Sequence, residues 1–371
     1  MRKLTVSLYS PKRLVAAALY CAGGLPAYAS ELTLYGVIDV AMRYDSKAQR
    51  SELGSGQIQG SHWGLRGRDG LGTDSSLIFA LEAGFNPDDG RSGQQSRLFG
   101  SQAWLGVEGP AGSLRLGRQY GVMFDAMSAI DPYGIANGDA ISWQYNLFGL
   151  RFDNTLKYQQ TLANWQVSVA YSFSEQAANS RAGRTLGLSL ARDFGGVLAY
   201  AAWQKSADLD GRSASAAMLG ATAEYRAVKL WAGYLQLRRE QGFLQCSAVV
   251  TPGSVAAPCH AEPLANASFA AGFASGAAVT NYLQFALSYR LQPQLEVVAA
   301  FMEDRTAVAG SEGRFGRRSR YLMLDYALSL RTDLYAAIDH SRLDTAGLEH
   351  PAYEAQNDGA KGYHIGLRHR F

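Results

Sequence analysis

The sequence has few cysteines and none of the common catalytic or metal-binding motifs. Its three cysteines form no C-x-x-C pair and its six histidines form no H-E-x-x-H motif, so a metal centre has little support. His364 and His369 lie on opposite faces by parity and are poor joint ligands. The G-x-S-x-G pattern of serine hydrolases is also absent. We therefore expect neither an enzyme nor a cofactor.

Residues 1–29 predict a cleaved export signal. Basic residues precede the apolar run Leu14–Cys21, and Ala27–Ala29 has the small-x-small pattern of a cleavage site. The apolar run is shorter than the ~20 residues that a membrane-spanning helix needs, which disfavours a retained anchor. Cys21 does not predict a lipoprotein, because Tyr20 is bulky where that processing requires a small residue.

Removal of the signal removes the excess of positive charge. The full chain has 35 basic and 32 acidic residues, and the signal holds four of the basic ones and no acidic one. The remaining domain, 30–371, is therefore nearly neutral, and nucleic-acid binding loses its main support. Cys246 and Cys259 lie in a polar loop-like stretch, where export favours a disulfide, with two free thiols as the alternative.

Alternating side chains favour a membrane barrel over a soluble exported protein. No long apolar run follows the signal, which excludes a spanning helix. In Leu283–Tyr289 the odd positions are apolar or aromatic and the even ones are polar or small, and Trp165–Phe173 and Tyr363–Phe371 alternate in the same way. Segments of about ten residues with one apolar and one polar face are typical of strands between lipid and water.

The pattern predicts an all-β fold, a 16-stranded antiparallel transmembrane β-barrel. Short turns and long loops alternate between the predicted strands, as they do in outer-membrane barrels. Alternation is weak near 197–203 and 228–237. The predicted strands are 31–44, 60–68, 75–86, 97–108, 112–120, 149–160, 164–174, 183–193, 196–206, 214–226, 228–239, 279–291, 294–304, 318–330, 333–343 and 361–371.

A barrel of this size leaves an aqueous channel that needs a constriction to select solutes. The third long loop, about 121–149, is the candidate, because a loop of this length in a compact domain requires a function. Folded into the bore, it would present Asp125, Asp131 and Asp139 to the opposite wall.

Parity identifies candidate residues for that wall. Charged side chains that face the lumen stay hydrated and set the local potential, although each could equally be a solvated residue without effect on conductance. Arg118 has the opposite parity to Arg115, so a loop or subunit contact is expected for it. The pore-lining candidates are Tyr35, Asp39, Arg43, His62, Arg66, Arg151 and Lys157, with Arg68 as a further possibility.

The chain resembles the Gram-negative general porins, especially the beta-proteobacterial type, over essentially the whole mature length. Each matching stretch is weak alone, but their order and spacing make the resemblance specific. The stretches are Leu34–Asp39, Trp63–Gly67, Phe79–Phe85, Gln102–Gly106, Leu116–Gly121, Arg151–Tyr158 and Gly366–Phe371.

The resemblance implies a homotrimer of 16-stranded barrels in the cell outer membrane, each with an inward-folded third loop. It implies passive diffusion of ions and small hydrophilic solutes, and contact with outer-membrane lipid and lipopolysaccharide. The terminal Phe371 resembles the signal that the barrel-assembly machinery reads. A substrate-specific channel for organic or aromatic acids is the alternative, and the long loops could also serve an adhesin or receptor.

Two positions depart from the pattern of the family. His62 and Ser101 stand where relatives often carry arginine, so the anion preference of many relatives is in doubt. We expect weak selectivity that shifts toward anions as His62 is protonated, near pH ~6.5.

Overall fold

The computed structural model describes residues 31–133, 148–174, 183–208, 210–243, 277–310, 314–344 and 359–371. They form one antiparallel sheet that closes on itself, because its first and last strands pair. No helix within these ranges is long and apolar enough to cross a membrane.

The strands follow one another around the ring in chain order. They are β1 (Glu31–Asp45), β2 (Arg50–Ser55), β3 (His62–Gly70), β4 (Ser76–Gly84), β5 (Gln102–Gly109), β6 (Gly112–Tyr120), β7 (Arg151–Leu162), β8 (Trp165–Ser172), β9 (Thr185–Asp193), β10 (Val197–Ala207), β11 (Ser213–Tyr225), β12 (Val228–Arg239), β13 (Ala278–Gln292), β14 (Leu295–Val308), β15 (Arg314–Ala327), β16 (Thr332–Asp344) and β17 (Lys361–Arg370). The described helices are α1 (Gly93–Ser96) and α2 (Val122–Ala129).

The second position in the ring is shared by two strand segments. β1 pairs with β2 through Val40–Asp45 and with β3 through Glu31–Val37, so the 17 strands fill 16 positions. The predicted 16-stranded barrel is therefore confirmed. The expectation of a plain loop between 44 and 60 was wrong, because that segment contains β2. This strand is short and polar, and it carries no apolar alternation that would reveal it.

The two faces of the sheet differ as the alternation predicts. In β13, Phe285 and Tyr289 are exposed on the outer face, whereas Gln284 and Ser288 are buried on the inner one. In β17, Ile365 is likewise exposed on the outer face. Outward apolar side chains suit lipid, and inward polar side chains suit a lumen.

The chain ends complete the ring. The backbone N–H of Gly36 donates to the carbonyl of Phe371 (3.0 Å), and the N–H of Phe371 donates to the carbonyl of Gly36 (3.1 Å). The last residue is thus bound to the first strand.

Alternation fails where the third loop leaves and rejoins the wall. The pairing of β6 with β7 shifts between Gly117 and Gln119, and Asn154 has a φ of 50°. Such a bulge changes which face the following side chains occupy. Phe152 has the opposite parity to Lys157 and would fall on the outer face of a regular strand, but it is buried at 3% exposure. The parity argument for Arg118 crosses the same irregularity.

Candidate functional site

The helix of the third loop lies against the inner face of the barrel. α2 contacts β8, β9, β10 and β11. Val122 lies so close to Gly187 that a side chain at this glycine would overlap it. Ile130 lies against Gly220 and Gly233, and a Cβ atom at Gly220 would stand 2.9 Å from its Cγ2 atom. Glycines on the wall thus make room for the loop.

Two glutamines of the wall bind the two described ends of the loop. The Nε2 atom of Gln284 donates to the carbonyl of Ile130, and that of Gln204 donates to the carbonyl of Phe148, each at 2.7 Å. The ring of Tyr133 meets that of Tyr321 edge-on, with centroids 4.6 Å apart. Burial raises the pKa of Tyr133 well above its usual range, so its phenol stays neutral. We call the inner face of β8–β13 the loop-bearing wall.

The other side of the loop faces cations. Asp125 of α2 forms an ion pair with Lys157 of β7, and the Nζ atom of Lys157 also donates to the carbonyl of Tyr120 (3.0 Å). The rings of Tyr120 and Phe124 are stacked, with centroids 4.1 Å apart. One predicted loop carboxylate therefore meets one predicted wall cation.

Further arginines surround this pair. Arg115 lies directly opposite Lys157 in the strand register, interacts electrostatically with Asp125 and stands 4.6 Å from the centroid of the Trp104 ring. Arg151 donates to the hydroxyl of Tyr120 at 2.8 Å. We call the inner face of β3–β7 the basic wall. Its cations are Arg66, Arg68, Arg115, Arg151 and Lys157.

Arg66 is the most open of these groups to the lumen. It is exposed, and its guanidinium carbon stands 3.9 Å from the centroid of the Tyr35 ring. The hydroxyl of Tyr35 donates to the carboxylate of Glu82 (2.8 Å), so the phenol is fixed in place. Within the described residues, no carboxylate lies within ion-pair distance of Arg66. Its charge is therefore available to solutes.

A cavity of about 610 Å³ lies at the short-turn end of the basic wall. Arg68 and Glu108 form an ion pair there, and Arg115 borders the cavity together with Gln159 and Ser168. Charged and amide side chains thus continue from the Asp125–Lys157 pair to the rim.

Two of the pore-lining candidates serve the barrel itself. Asp39 is fully buried, and its carboxylate accepts hydrogen bonds from the Tyr335 hydroxyl (2.6 Å) and from the N–H of Ile58 (3.1 Å). Arg43 pairs with Asp45 at 3.0 Å and lies 3.7 Å from a carboxylate oxygen of Asp339. The structure does not bring Asp39 and Arg43 together with the basic wall.

His62 and Asp131 have mainly local partners. The Nδ1 atom of His62 donates to the carbonyl of Gly60 at 2.7 Å, and its ring meets that of Tyr35 edge-on. Asp131 is buried and accepts a hydrogen bond from the N–H of Tyr133 (2.9 Å).

Arg118 forms an ion pair with Asp153 at 2.6 Å and donates to the carbonyl of Gly100 (2.7 Å).

Among the described residues, no three His, Cys, Asp or Glu side chains converge on a possible metal site. The predictions for residues 1–29, Asp139, Cys246 and Cys259 lie outside the described residues.

Sequence reasoning missed several residues that build the site. Arg115 and Glu82 could have been found by parity, because both fall on polar faces of predicted strands. Gln204 and Gln284 gave no such signal, since a glutamine on an inner face has no special partner until the position of the loop is known.

Comparison with known proteins agrees with this architecture. A family model described as Gram-negative porin matches residues 14–346. An outer membrane porin protein of Bordetella pertussis is 36% identical over 203 residues, which cover 48% of this chain and 52% of that protein. The chain thus spans about half the length of that curated relative.

Solved structures show the same fold. An anion-selective porin from Comamonas acidovorans matches with a TM-score of 0.71 and 21% identity, over 92% of this chain and 100% of that one. The trimer form of OmpT, an outer membrane protein of Vibrio cholerae, matches with a TM-score of 0.65 and 13% identity, over 93% of this chain and 100% of that one. The family match covers most of the chain, and the described residues form the closed barrel of these structures. The chain therefore belongs to the Gram-negative porins of the outer membrane.

Proposed function

We propose that the protein is a water-filled channel through which ions and small hydrophilic solutes diffuse passively, with a preference for anions. The observation that carries the preference is the basic wall, where five cations meet Glu82, Glu108 and Asp125. The exposed and unneutralised Arg66 attracts anions and repels cations along the path.

The third loop is the proposed constriction. Its described part lies against the loop-bearing wall, through the contacts of α2 and the hydrogen bonds to the carbonyls of Ile130 and Phe148. Asp125 neutralises Lys157 there, so the loop reduces the positive charge without removing it. No catalytic step is part of the proposal, because charge and width are sufficient for diffusion.

Several further features belong to the proposal. Residues 1–29 are removed on export, Cys246 and Cys259 form a loop disulfide, and Phe371 is read by the barrel-assembly machinery.

The barrels assemble as a homotrimer in which Arg118 lies near a subunit contact, and lipopolysaccharide surrounds the trimer. A purified sample should therefore migrate as a larger species on a gel before boiling and as a monomer after it. A monomer in both lanes would contradict the trimer.

Single-channel recording in a planar bilayer tests the channel itself. We expect conductance that rises linearly with KCl concentration and a reversal potential under a KCl gradient whose sign shows anion preference. Benzoate and succinate should not block the current at concentrations well below that of chloride. Saturating conductance with block by either acid would instead support the substrate-specific channel. A bilayer whose conductance does not rise when the protein is added would contradict both.

A further inference from the structure

Three arginines of the basic wall each lie against the face of an aromatic ring. The attraction between a cation and a ring face helps to fix the cation in place, and a ring on a short side chain loses less freedom than the long arginine side chain. We call Tyr35, Trp104 and Tyr120 the platform rings. The pairs are Arg66 on Tyr35, Arg115 on Trp104 and Arg151 on Tyr120, with 3.9, 4.6 and 4.6 Å between the guanidinium carbon and the ring centroid.

All three platform rings are connected to one carboxylate, that of Glu82 in β4. The hydroxyl of Tyr35 donates to its Oε2 atom (2.8 Å), and the hydroxyl of Tyr120 donates to its Oε1 atom (3.4 Å). Trp104 is connected through Gln102. The Nε1 atom of Trp104 donates to the Oε1 atom of Gln102 (3.0 Å), and the Nε2 atom of Gln102 donates to Glu82 (3.2 Å). A single side chain thus joins rings of β1, β5 and β6.

The surroundings of Glu82 differ from those of a counter-ion. Its side chain is buried, at 4% exposure, and its hydrogen-bond partners are two hydroxyls and an amide. Within the part of the chain that the structure describes, no cation lies within ion-pair distance of it. Burial of a carboxylate is costly unless hydrogen bonds satisfy it, and here the platform rings and Gln102 supply those bonds.

The backbone leaves room for the link between Tyr35 and Glu82. Tyr35 stands opposite Gly64 in the strand register, and Gly64 stands opposite Glu82. The tyrosine side chain crosses this glycine to reach the carboxylate. A Cβ atom at Gly64 would stand 2.8 Å from both the Cζ atom and the hydroxyl oxygen of Tyr35. Because only glycine allows so close an approach, the strands themselves accommodate the link.

We propose that Glu82 is a positioning residue that controls the ion selectivity of the channel by holding the platform rings, and through them the three arginines. A guanidinium that is held in one place gives a stronger field along the path than one that is spread over many rotamers. The inference rests on the proposed anion preference. It predicts that Glu82, although an acid, supports the preference for anions through its hydrogen bonds.

Two neutral replacements separate the hydrogen bonds of Glu82 from its charge. Glu82→Gln and Glu82→Ala both remove the carboxylate, but only glutamine keeps an oxygen that can accept from Tyr35. Reversal potentials under a KCl gradient should give a ratio of anion to cation permeability about threefold lower in the alanine variant than in the glutamine variant. Equal ratios, or a higher ratio in the alanine variant, would overturn the proposal, because charge alone would then explain both.

Tyr35→Phe tests the same link without a change of charge, and it applies even where the alanine variant does not fold. It keeps the ring and removes only the hydroxyl, so the permeability ratio should fall about twofold relative to wild type. Tyr158→Phe is the matched control, because Tyr158 is exposed on the outer face of β7 and its hydroxyl donates to the carbonyl of Ala111. An unchanged ratio for Tyr35→Phe, or the same fall in the control, would overturn the proposal.

The reversal potential of wild-type protein separates this inference from the proposed function. A wild-type permeability ratio at or below one would contradict the anion preference, while a difference between the two neutral Glu82 variants would still support the positioning role. Equal ratios in those two variants, beside a wild type that prefers anions, would contradict the positioning role alone.

Discussion

The loop-bearing wall and the basic wall consist of the same kind of strand, but their inner side chains have different roles. On the loop-bearing wall the inner side chains include Met218, Leu235 and Leu237, all buried against the third loop or its neighbours. On the basic wall the inner side chains include the exposed Arg66 and the half-buried Arg115. One wall supports the loop, and the other supplies the electric field.

The difference explains where alternation fails. A strand that is apolar on both faces reads as a nearly continuous apolar run, because lipid lies on one side and packed loop on the other. β10 and β12 are such strands, and they include the segments in which the sequence alternates weakly. A departure from the barrel pattern thus marks the wall on which the loop rests.

The largest expected effect concerns the loop-bearing wall. Ile130→Ala should lower the stability of the folded protein by about 2–4 kcal/mol, because the side chain is fully buried and its removal leaves a cavity. Thermal unfolding in detergent, followed by circular dichroism, measures the loss. Leu219→Ala is the control, since Leu219 is exposed on the outer face of β11. Equal unfolding temperatures for wild type and Ile130→Ala would show that the loop is not held there.

The basic wall should control selectivity instead. The double variant R66E/R115E should reduce the ratio of anion to cation permeability about tenfold or more, because each unit charge near the path contributes roughly 0.5–1 kcal/mol in water. Reversal potentials under a KCl gradient give the ratio. Lys205→Glu makes a charge change on the outer face and should leave the ratio unaltered. An unchanged ratio in the double variant would remove the basic wall from the mechanism.

A smaller effect on ion selectivity is expected from the third loop. Asp125→Asn should raise the anion preference about threefold, because Lys157 then loses the carboxylate that neutralises it. Asp89→Asn removes one carboxylate from an exposed surface loop and is the matched control. A shift toward cations, or the same shift in both variants, would contradict the assignment.

Much of the barrel could be predicted from sequence because lipid and water impose a period of two on every strand. The bounds of β6 and β12 match the predicted ones, and those of β1 differ by one residue. The irregularity near Gly117 and Asn154 could not be predicted, since it depends on how the loop leaves the wall. β15 starts four residues earlier than expected, at Arg314, because cations there interrupt the apolar pattern.

The site was harder to predict than the fold. Parity places Arg66 and Lys157 on polar faces, but it cannot tell an available cation from a neutralised one. Whether a charge is neutralised depends on long-range partners, as in the contact of Lys157 with Asp125 across 32 positions. The structural role of Asp39 is a further case, because its carboxylate accepts a hydrogen bond from Tyr335, 296 positions away.

The two backbone hydrogen bonds between Gly36 and Phe371 have a consequence for biogenesis. They extend the pairing of β1 with β17, which joins the two edge strands of the sheet over Val37–Asp45 and Gly362–Arg370. Until β17 pairs with β1, the sheet has two open edges that could pair with other chains. An intermediate that lacks this pairing is therefore more exposed to aggregation than the closed barrel.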